Sequence, residues 1–193
     1  MITILLDSSN TNLSVGIAKD NLLLESISYE AWQQQSEHMI PELSKLLEKY
    51  GVNKDDIEEV VVAMGPGSYT GVRIAITIAK TIAVALNTKL FPVSSLRALK
   101  DGDLPSICLI NARSGRSYFG VFKGNDIIIG DRIMKNDEVL AYIAEHPGYS
   151  VCGDTKYLGL EGKQTNNIQE MLNLKEALGD VNPLSLKPVY MKD

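Results

Sequence analysis

The sequence predicts an α/β fold of two lobes, each built from one copy of a βββαβα unit, with the second copy shortened. Three observations lead to this prediction. Three short apolar runs with turns between them occur twice, an amphipathic helical pattern follows each set, and each helix leads to a strand that ends at a glycine, Gly65 or Gly153. Strands and helices that alternate in this way are typical of α/β folds.

The predicted strands are short runs rich in Ile, Val and Leu, bounded by turn-forming residues. In chain order they cover residues 2–6, 13–18, 22–24, 60–64, 107–110, 118–122, 127–129 and 150–152.

The two sets of strands align without a gap when they are placed 104 positions apart, which brings Asn111 onto Asp7. An ungapped match of a whole pattern indicates a duplication. We expect the first lobe at residues 1–98 and the second at residues 99–193, because a polar, turn-forming stretch follows residue 99.

Two helices are predicted in the first lobe, at residues 36–50 and 72–86, and a shorter one around residues 139–143 in the second. The 72–86 helix is apolar over most of its circumference, with one narrow polar stripe that includes Arg73. Such a helix is covered on more than one side. Either the other helix of the lobe or a partner subunit covers the surplus apolar surface, and the sequence leaves both open.

Composition argues against direct nucleic-acid binding and against a membrane protein. The chain has 19 basic and 24 acidic side chains and a net charge of −5, whereas nucleic-acid affinity rests on Lys and Arg. The first ten residues carry no basic leader, and no stretch of 18 residues is uninterrupted apolar sequence. We therefore expect a cytoplasmic protein that binds tRNA poorly by itself.

Polar loops follow the first strand of each lobe. Two lobes that each open with such a loop are the plan of the actin/Hsp70/sugar-kinase superfold, which is RNase H-like and grips nucleotide phosphates between the loops. The residues that we predict as vestigial phosphate loops are Asp7, Ser8, Ser9, Asn111 and Arg113.

These loops are poorly equipped for Mg-ATP. Such a site needs carboxylates and close glycines, but Asn111 carries no charge and no glycine stands beside Ser9. A small ATPase or kinase that uses Asp7 is the alternative function. The simpler interpretation of Asp7 is the hydrogen-bonded end of a strand.

The sharpest motif is GPGSYTGVR at residues 65–73. It follows a buried strand and opens the long helix, so its glycines permit a tight turn and the helix N-terminus offers free N–H groups to an anion. It lacks the GK[ST] ending of a P-loop and the spacing of a dinucleotide fingerprint. A purely structural strand-to-helix turn is the simpler interpretation.

The sequence offers no cluster for hydrolytic or metal chemistry. His38 and His146 are far apart, no HxxxH, HExxH or CxxC pattern occurs, and Ser8, Ser9 and Ser68 have no His–Asp partners. We therefore expect no bound metal and no peptidase activity.

Five segments, in their order and spacing, resemble the bacterial TsaB (YeaZ) family. They are ILLDSS at 4–9, GPGSYTGVRIA at 65–75, SSLRAL at 94–99, NARSGRSYFGVF at 111–122 and PVYMKD at 188–193. The match runs nearly the full length of the chain, and the GPGS-[FY]-TG-x-R signature is highly specific.

The resemblance implies a non-catalytic subunit, an inactive paralogue of TsaD, that supports formation of threonylcarbamoyladenosine beside the anticodon of tRNA. It implies a heterodimer with TsaD, cooperation with TsaE, and a homodimer when the chain is alone. It implies no cofactor for this chain alone, ATP or ADP only in the complex with TsaD, and tRNA contact only through that complex. The helices at residues 36–50 and 72–86 are the implied partner interface. We expect Arg73 to be a polar contact near the partner, and the residues that form the interface or support it are Met39, Leu43, Leu46, Val72, Ala75, Ile76, Ala79 and Ala83.

Three departures from the family pattern weaken nucleotide binding by this chain. Gln35 stands where the family usually has His, NAR at residues 111–113 replaces DAR, and the chain is short, which trims the second lobe. None of the three touches the implied interface.

Overall fold

A computed structural model describes residues 1–31, 33–177 and 179–191 of the chain. Lys192 and Asp193, the last two residues of the PVYMKD segment, lie outside the described residues. The strands are β1 (Ile2–Asp7), β2 (Asn12–Lys19), β3 (Leu22–Glu30), β4 (Ile57–Ala63), β5 (Lys89–Val93), β6 (Ser106–Arg113), β7 (Arg116–Lys123), β8 (Asp126–Lys135) and β9 (Ser150–Gly153). The helices are α1 (Gln35–Lys49), α2 (Tyr69–Leu86), α3 (Asn136–Glu145) and α4 (Asn167–Leu174), with short 3-10 helices at Lys54–Asp56, Arg97–Leu99, Lys156–Leu158 and Lys175–Ala177.

The topology confirms the predicted two-lobed α/β fold. The first sheet has the strand order β3-β2-β1-β4-β5 and the second has the order β8-β7-β6-β9, so each lobe repeats the same arrangement and the first lobe adds β5. In each lobe the first strand is antiparallel to the second and parallel to the fourth. The two opening hairpins differ by one residue in register, because β6 carries a bulge between Asn111 and Arg113.

The first sheet is covered on both faces. Ile4 and Leu6 of β1 face α1 and α2, which pack side by side, while Leu5 between them faces α4. Because successive side chains of a strand point to opposite faces, a strand covered on both sides is apolar throughout. This explains why the run that predicted β1 is aliphatic apart from Thr3, whose hydroxyl donates to the buried Glu59.

The apolar residues predicted at the partner interface are core residues. Each is at most 4% exposed and packs in the cluster between the first sheet and the two helices. These side chains therefore lie inside the lobe, where they support α1 and α2 from within and do not form the helix surface. They are Met39, Leu43, Leu46, Val72, Ala75, Ile76, Ala79 and Ala83.

Within the described part of the chain, α2 is the one helix long and apolar enough, by length and composition alone, to cross a membrane, with a mean hydropathy of 1.4 over 18 residues. Its inner face is buried on the first sheet. Packing on the sheet therefore accounts for much of its apolar composition.

The last part of the chain returns to the first lobe. α4 follows the second sheet in sequence, yet Ile168 and Met171 pack on the face of the first sheet opposite α1 and α2. Further on, the N–H of Val181 donates to the carbonyl of Leu90 at 2.9 Å. The predicted division at residues 98 and 99 separates the two sheets, while packing joins the two halves.

Buried ion pairs hold α4 and the 3-10 helix after it in place. Glu59 of β4 accepts hydrogen bonds from Lys175 at 2.5 Å and from the hydroxyl of Thr3 at 2.7 Å. Glu170 of α4 pairs with Lys100. The four charged side chains are 4–10% exposed, so each charge depends on its partner for compensation.

We expect Lys175→Met to destabilise the chain by about 3–5 kcal/mol, because it leaves the Glu59 carboxylate buried without its cation. Replacing Glu59 by Leu in the same chain should recover most of the loss. The control Lys45→Met removes an exposed pair with Glu42 and should cost less than about 1 kcal/mol. Urea unfolding measures all three variants, and equal costs for the two single variants would contradict the assignment.

Candidate functional site

A cleft of about 590 Å³ lies between the lobes, where the two polar loops face each other. Its walls come from the β1–β2 loop, the N-terminus of α2, the β6–β7 loop and the end of the chain. The lining includes Ser9, Asn10, Thr11, Ser68, Tyr69, Asn111, Arg113, Tyr118, Asp154 and Tyr190. The structure therefore brings together three of the five predicted loop residues, Ser9, Asn111 and Arg113.

Asp7 is turned away from the cleft lining. Its Oδ1 accepts the N–H of Ser9 at 2.8 Å and its Oδ2 accepts Nδ2 of Asn167 at 2.7 Å, and the residue is 2% exposed. Burial raises the pKa of Asp7, while the hydrogen bonds from Ser9 and Asn167 act to lower it. Asp7 is thus a hydrogen-bonded strand end that also ties β1 to α4.

The GPGS segment packs against the β1–β2 loop. The hydroxyl of Ser8 donates to the carbonyl of Gly71 at 2.7 Å, and the N–H of Ser68 donates to the carbonyl of Ser9 at 2.7 Å. A Cβ on Gly71 would lie 1.9 Å from the Ser8 oxygen, and one on Gly67 would lie 2.2 Å from the Ser9 oxygen. These glycines are therefore required by close backbone approach.

Gly65, the first glycine of the motif, lies close to the backbone of Val189 near the end of the chain. Gly65 has φ of +102°, and a Cβ there would lie 2.7 Å from the carbonyl oxygen of Val189. Its N–H donates to the hydroxyl of Ser95 at 2.9 Å. Ser68 then caps α2, since its hydroxyl accepts the N–H of Gly71 at 3.3 Å. The interpretation as a structural strand-to-helix turn accounts for each of these positions.

The opposite wall is set by the β6–β7 turn. The side-chain oxygen of Asn111 accepts the N–H of Arg113 at 2.9 Å, and Arg113 and Ser114 both have positive φ, at 68° and 50°. Asp154 follows β9 at the same end of the sheet. Burial raises the pKa of Asp154, while the backbone N–H of Asn111 and the charge of Arg113 act to lower it.

An aromatic cluster closes one end of the cleft. The rings of Tyr69 and Tyr190 stack with their centroids 4.9 Å apart, and the guanidinium carbon of Arg73 lies 4.1 Å from the Tyr69 centroid. Arg73 Nε also donates to the hydroxyl of Tyr190 at 2.6 Å. Arg73, predicted as a polar contact to a partner, therefore binds the end of its own chain.

Sequence reasoning did not identify Tyr69, Tyr190, Asn167 or Asp154 as site residues. Both tyrosines lie inside motifs that were recognised, GPGSYTG and PVYMKD. Nothing in the sequence pairs them, however, because the stack joins positions that are distant along the chain.

The chemistry available in the cleft is limited. The ionisable pair at its wall is the Arg113 guanidinium and the Asp154 carboxyl, which balance each other. Among the described residues, neither histidine lines the cleft and no group of three or more His, Cys, Asp or Glu side chains is placed to hold a metal. Beside this pair the lining offers hydroxyl, amide and aromatic groups.

Two mixed sheets of matching order, with polar loops facing a shared cleft, define a two-lobed α/β protein of the actin and sugar-kinase type. The family model described as TsaD: tRNA N6-adenosine threonylcarbamoyltransferase matches residues 28–175, and the chain belongs to this family.

Individual relatives confirm the resemblance to TsaB and YeaZ. The Bacillus subtilis tRNA threonylcarbamoyladenosine biosynthesis protein TsaB is 32% identical over 148 residues, which cover 73% of this chain and 63% of that protein. The Mycoplasma pneumoniae uncharacterized protein MG208 homolog is 29% identical, over 91% of this chain and 86% of that protein. The solved structure of YeaZ from Pseudomonas aeruginosa has the same fold, with a TM-score of 0.82 at 22% identity and coverage of 98% and 99%. The match thus spans less than two thirds of the B. subtilis protein.

Gly71→Ala should destabilise the chain by about 1–3 kcal/mol, because the added Cβ would meet a backbone oxygen that cannot retreat without moving β1. In an ordinary helix interior the same change stabilises. Gly148→Ala is the matched control, since a Cβ there meets no atom within 4 Å. Thermal unfolding of both variants is the measurement, and a neutral Gly71→Ala would contradict the close-packing account.

Asp7→Asn should make stability less sensitive to pH. The pKa of Asp7 is raised above its ordinary value of 3.8 in the folded chain, so the folded state holds the proton more tightly than the unfolded state. This contribution is present at low pH and is lost as the pH rises from 3.8 through the folded pKa. Asn keeps an oxygen for the Ser9 N–H and carries no charge.

Urea unfolding of both chains across this pH range tests the sign. The free energy of unfolding of the variant, minus that of the wild type, should grow with pH. A constant difference would show that ionisation of Asp7 does not limit stability.

Proposed function

We propose that this chain is a non-catalytic, cytoplasmic subunit of the machinery that forms threonylcarbamoyladenosine in tRNA. It acts by binding and activating a TsaD-type transferase, together with TsaE. Family membership and the TsaB relatives support the pathway. The observation that carries the non-catalytic assignment is Asp7, whose carboxyl is buried and bound to Ser9 and Asn167 instead of facing the cleft.

The docking surface in this proposal is the outward face of α1 and α2. Thr77, Thr81 and Ala85 form an exposed ridge of small side chains along α2, one helical turn apart. Larger apolar groups are exposed nearby, with Ile40 of α1 at 44% and Val84 at 56%. Small ridges flanked by larger apolar side chains allow another helix to pack closely. The buried apolar side chains of α1 and α2 support this face from beneath.

In this proposal, nucleotide binds to the complex and not to this chain alone. Of the charged side chains near the cleft, Arg113 and Asp154 have opposite signs, and the Arg73 guanidinium is already bound to Tyr69 and Tyr190. We expect ATP or ADP to bind in the complex with the TsaD-type subunit, and tRNA to be reached through that complex. Without the partner, the same helix face forms a homodimer.

Size-exclusion chromatography with light scattering tests the proposal, using the chain alone and mixed with the TsaD-type protein of the same organism, with and without ATP. We expect a one-to-one complex that replaces a homodimer. Ala85→Arg should abolish the complex, because it places a long cationic side chain on the ridge. Ala144→Arg is the same change on an exposed position of α3 and should leave the complex intact.

The ATPase or kinase alternative makes the opposite prediction. It requires ATP turnover by the chain alone that is lost in Asp7→Ala. Turnover of that kind, without any complex, would overturn the subunit assignment. Peptidase activity has no support in the lining of the cleft, where neither His38 nor His146 is found.

A further inference from the structure

Residues 181–191, which we name the strap, lie along α2. Lys80 Nζ donates to the carbonyl of Leu186 at 3.1 Å and to that of Leu184 at 3.5 Å. The N–H of Val189 donates to the carbonyl of Met64 at 2.8 Å, and the Arg73–Tyr190 bond fixes the far end. The strap is therefore an ordered border of the helix and shares its surface.

The strap presents one large apolar side chain to solvent. Leu184 is 75% exposed, although Leu186 two positions later is buried in the core. Its backbone is fixed by a turn, because its N–H donates to Oδ1 of Asn182 at 2.9 Å. Lys80, which binds the Leu184 carbonyl, lies one helical turn from the exposed Val84. Because the backbone around Leu184 is already ordered, burying this leucine against a partner costs little additional conformational entropy.

The charged side chains of α2 and the strap indicate which kind of partner this surface fits. The charged side chains of α2 and the strap are Arg73, Lys80 and Lys187, all basic, on a chain of net charge −5. An apolar centre with a basic border complements a protein face with an apolar centre and an acidic border. Three cations are few for RNA, whose affinity grows with the number of phosphates neutralised.

We propose that the strap and the outward face of α2 form one composite docking surface, with Leu184 as its apolar anchor, for an acidic-bordered helical face of a protein partner. This inference rests on the proposed function, which makes that partner the TsaD-type subunit. The strap thus extends the interface beyond the two helices and explains why an exposed leucine is held on a rigid turn.

The test compares two exposed leucines. Leu184→Asp should weaken binding to the TsaD-type protein by about tenfold or more in calorimetric titration, as expected for an interface anchor. Leu22→Asp is the matched control, since Leu22, the first residue of β3 in the same lobe, is 72% exposed, and the change should alter the affinity by less than about twofold. Circular dichroism checks that both variants are folded.

The outcomes separate this inference from the function on which it rests. No complex with the wild-type chain would overturn the proposed function and the composite surface together. A complex that Leu184→Asp leaves intact would overturn the composite surface alone. The chain could instead bind unmodified tRNA. If Lys187→Glu abolished that binding and Leu184→Asp preserved it, the surface would be an RNA-binding surface and the proposal would be overturned.

Discussion

The carbonyl oxygens of Ser8 and Ser9 lie against the N-terminus of α2, and much of the remaining structure depends on this contact. It is possible only because positions 67 and 71 have no Cβ, since a methyl group at either would overlap those oxygens. The contact fixes where α2 begins relative to β1. It thereby determines which side of an almost wholly apolar helix faces the sheet and which side remains outward.

The same contact limits the chemistry of the cleft. The carbonyl groups of Ser8 and Ser9 lie against the helix N-terminus, and the carboxyl group of Asp7, at the end of β1, accepts a hydrogen bond from Asn167 of α4. What remains to line the cleft is the outer side of the loop, with Ser9, Asn10 and Thr11. The loop thus contributes hydroxyl and amide groups to the cleft, while the carboxyl in the lining comes from Asp154 of the second lobe.

The two lobes share part of their packing, and the shortened second unit contributes to it. Its last helix, α4, covers the first sheet, and the buried Glu59–Lys175 and Lys100–Glu170 pairs join the segments on either side of that contact. The strap then returns to α2 and β5. The second half of the chain therefore supplies part of the packing of the first half.

The sequence by itself predicted β1 to β4, β6 to β9, α1 to α3, the duplication and the position of the loops, because each follows from local patterns of apolar and turn-forming residues, but it did not predict β5 or α4. It also predicted that Asp7 ends a strand and that GPGSYTG forms a strand-to-helix turn. Only the tertiary structure decided that Ala75, Ile76 and Ala79 face the core, since the polar stripe of α2 is narrow and apolar residues cover most of its circumference. Likewise, the contacts of Asp7 with Asn167 and of Arg73 with Tyr190 join positions far apart in the chain, so they exist only once the lobes have packed together.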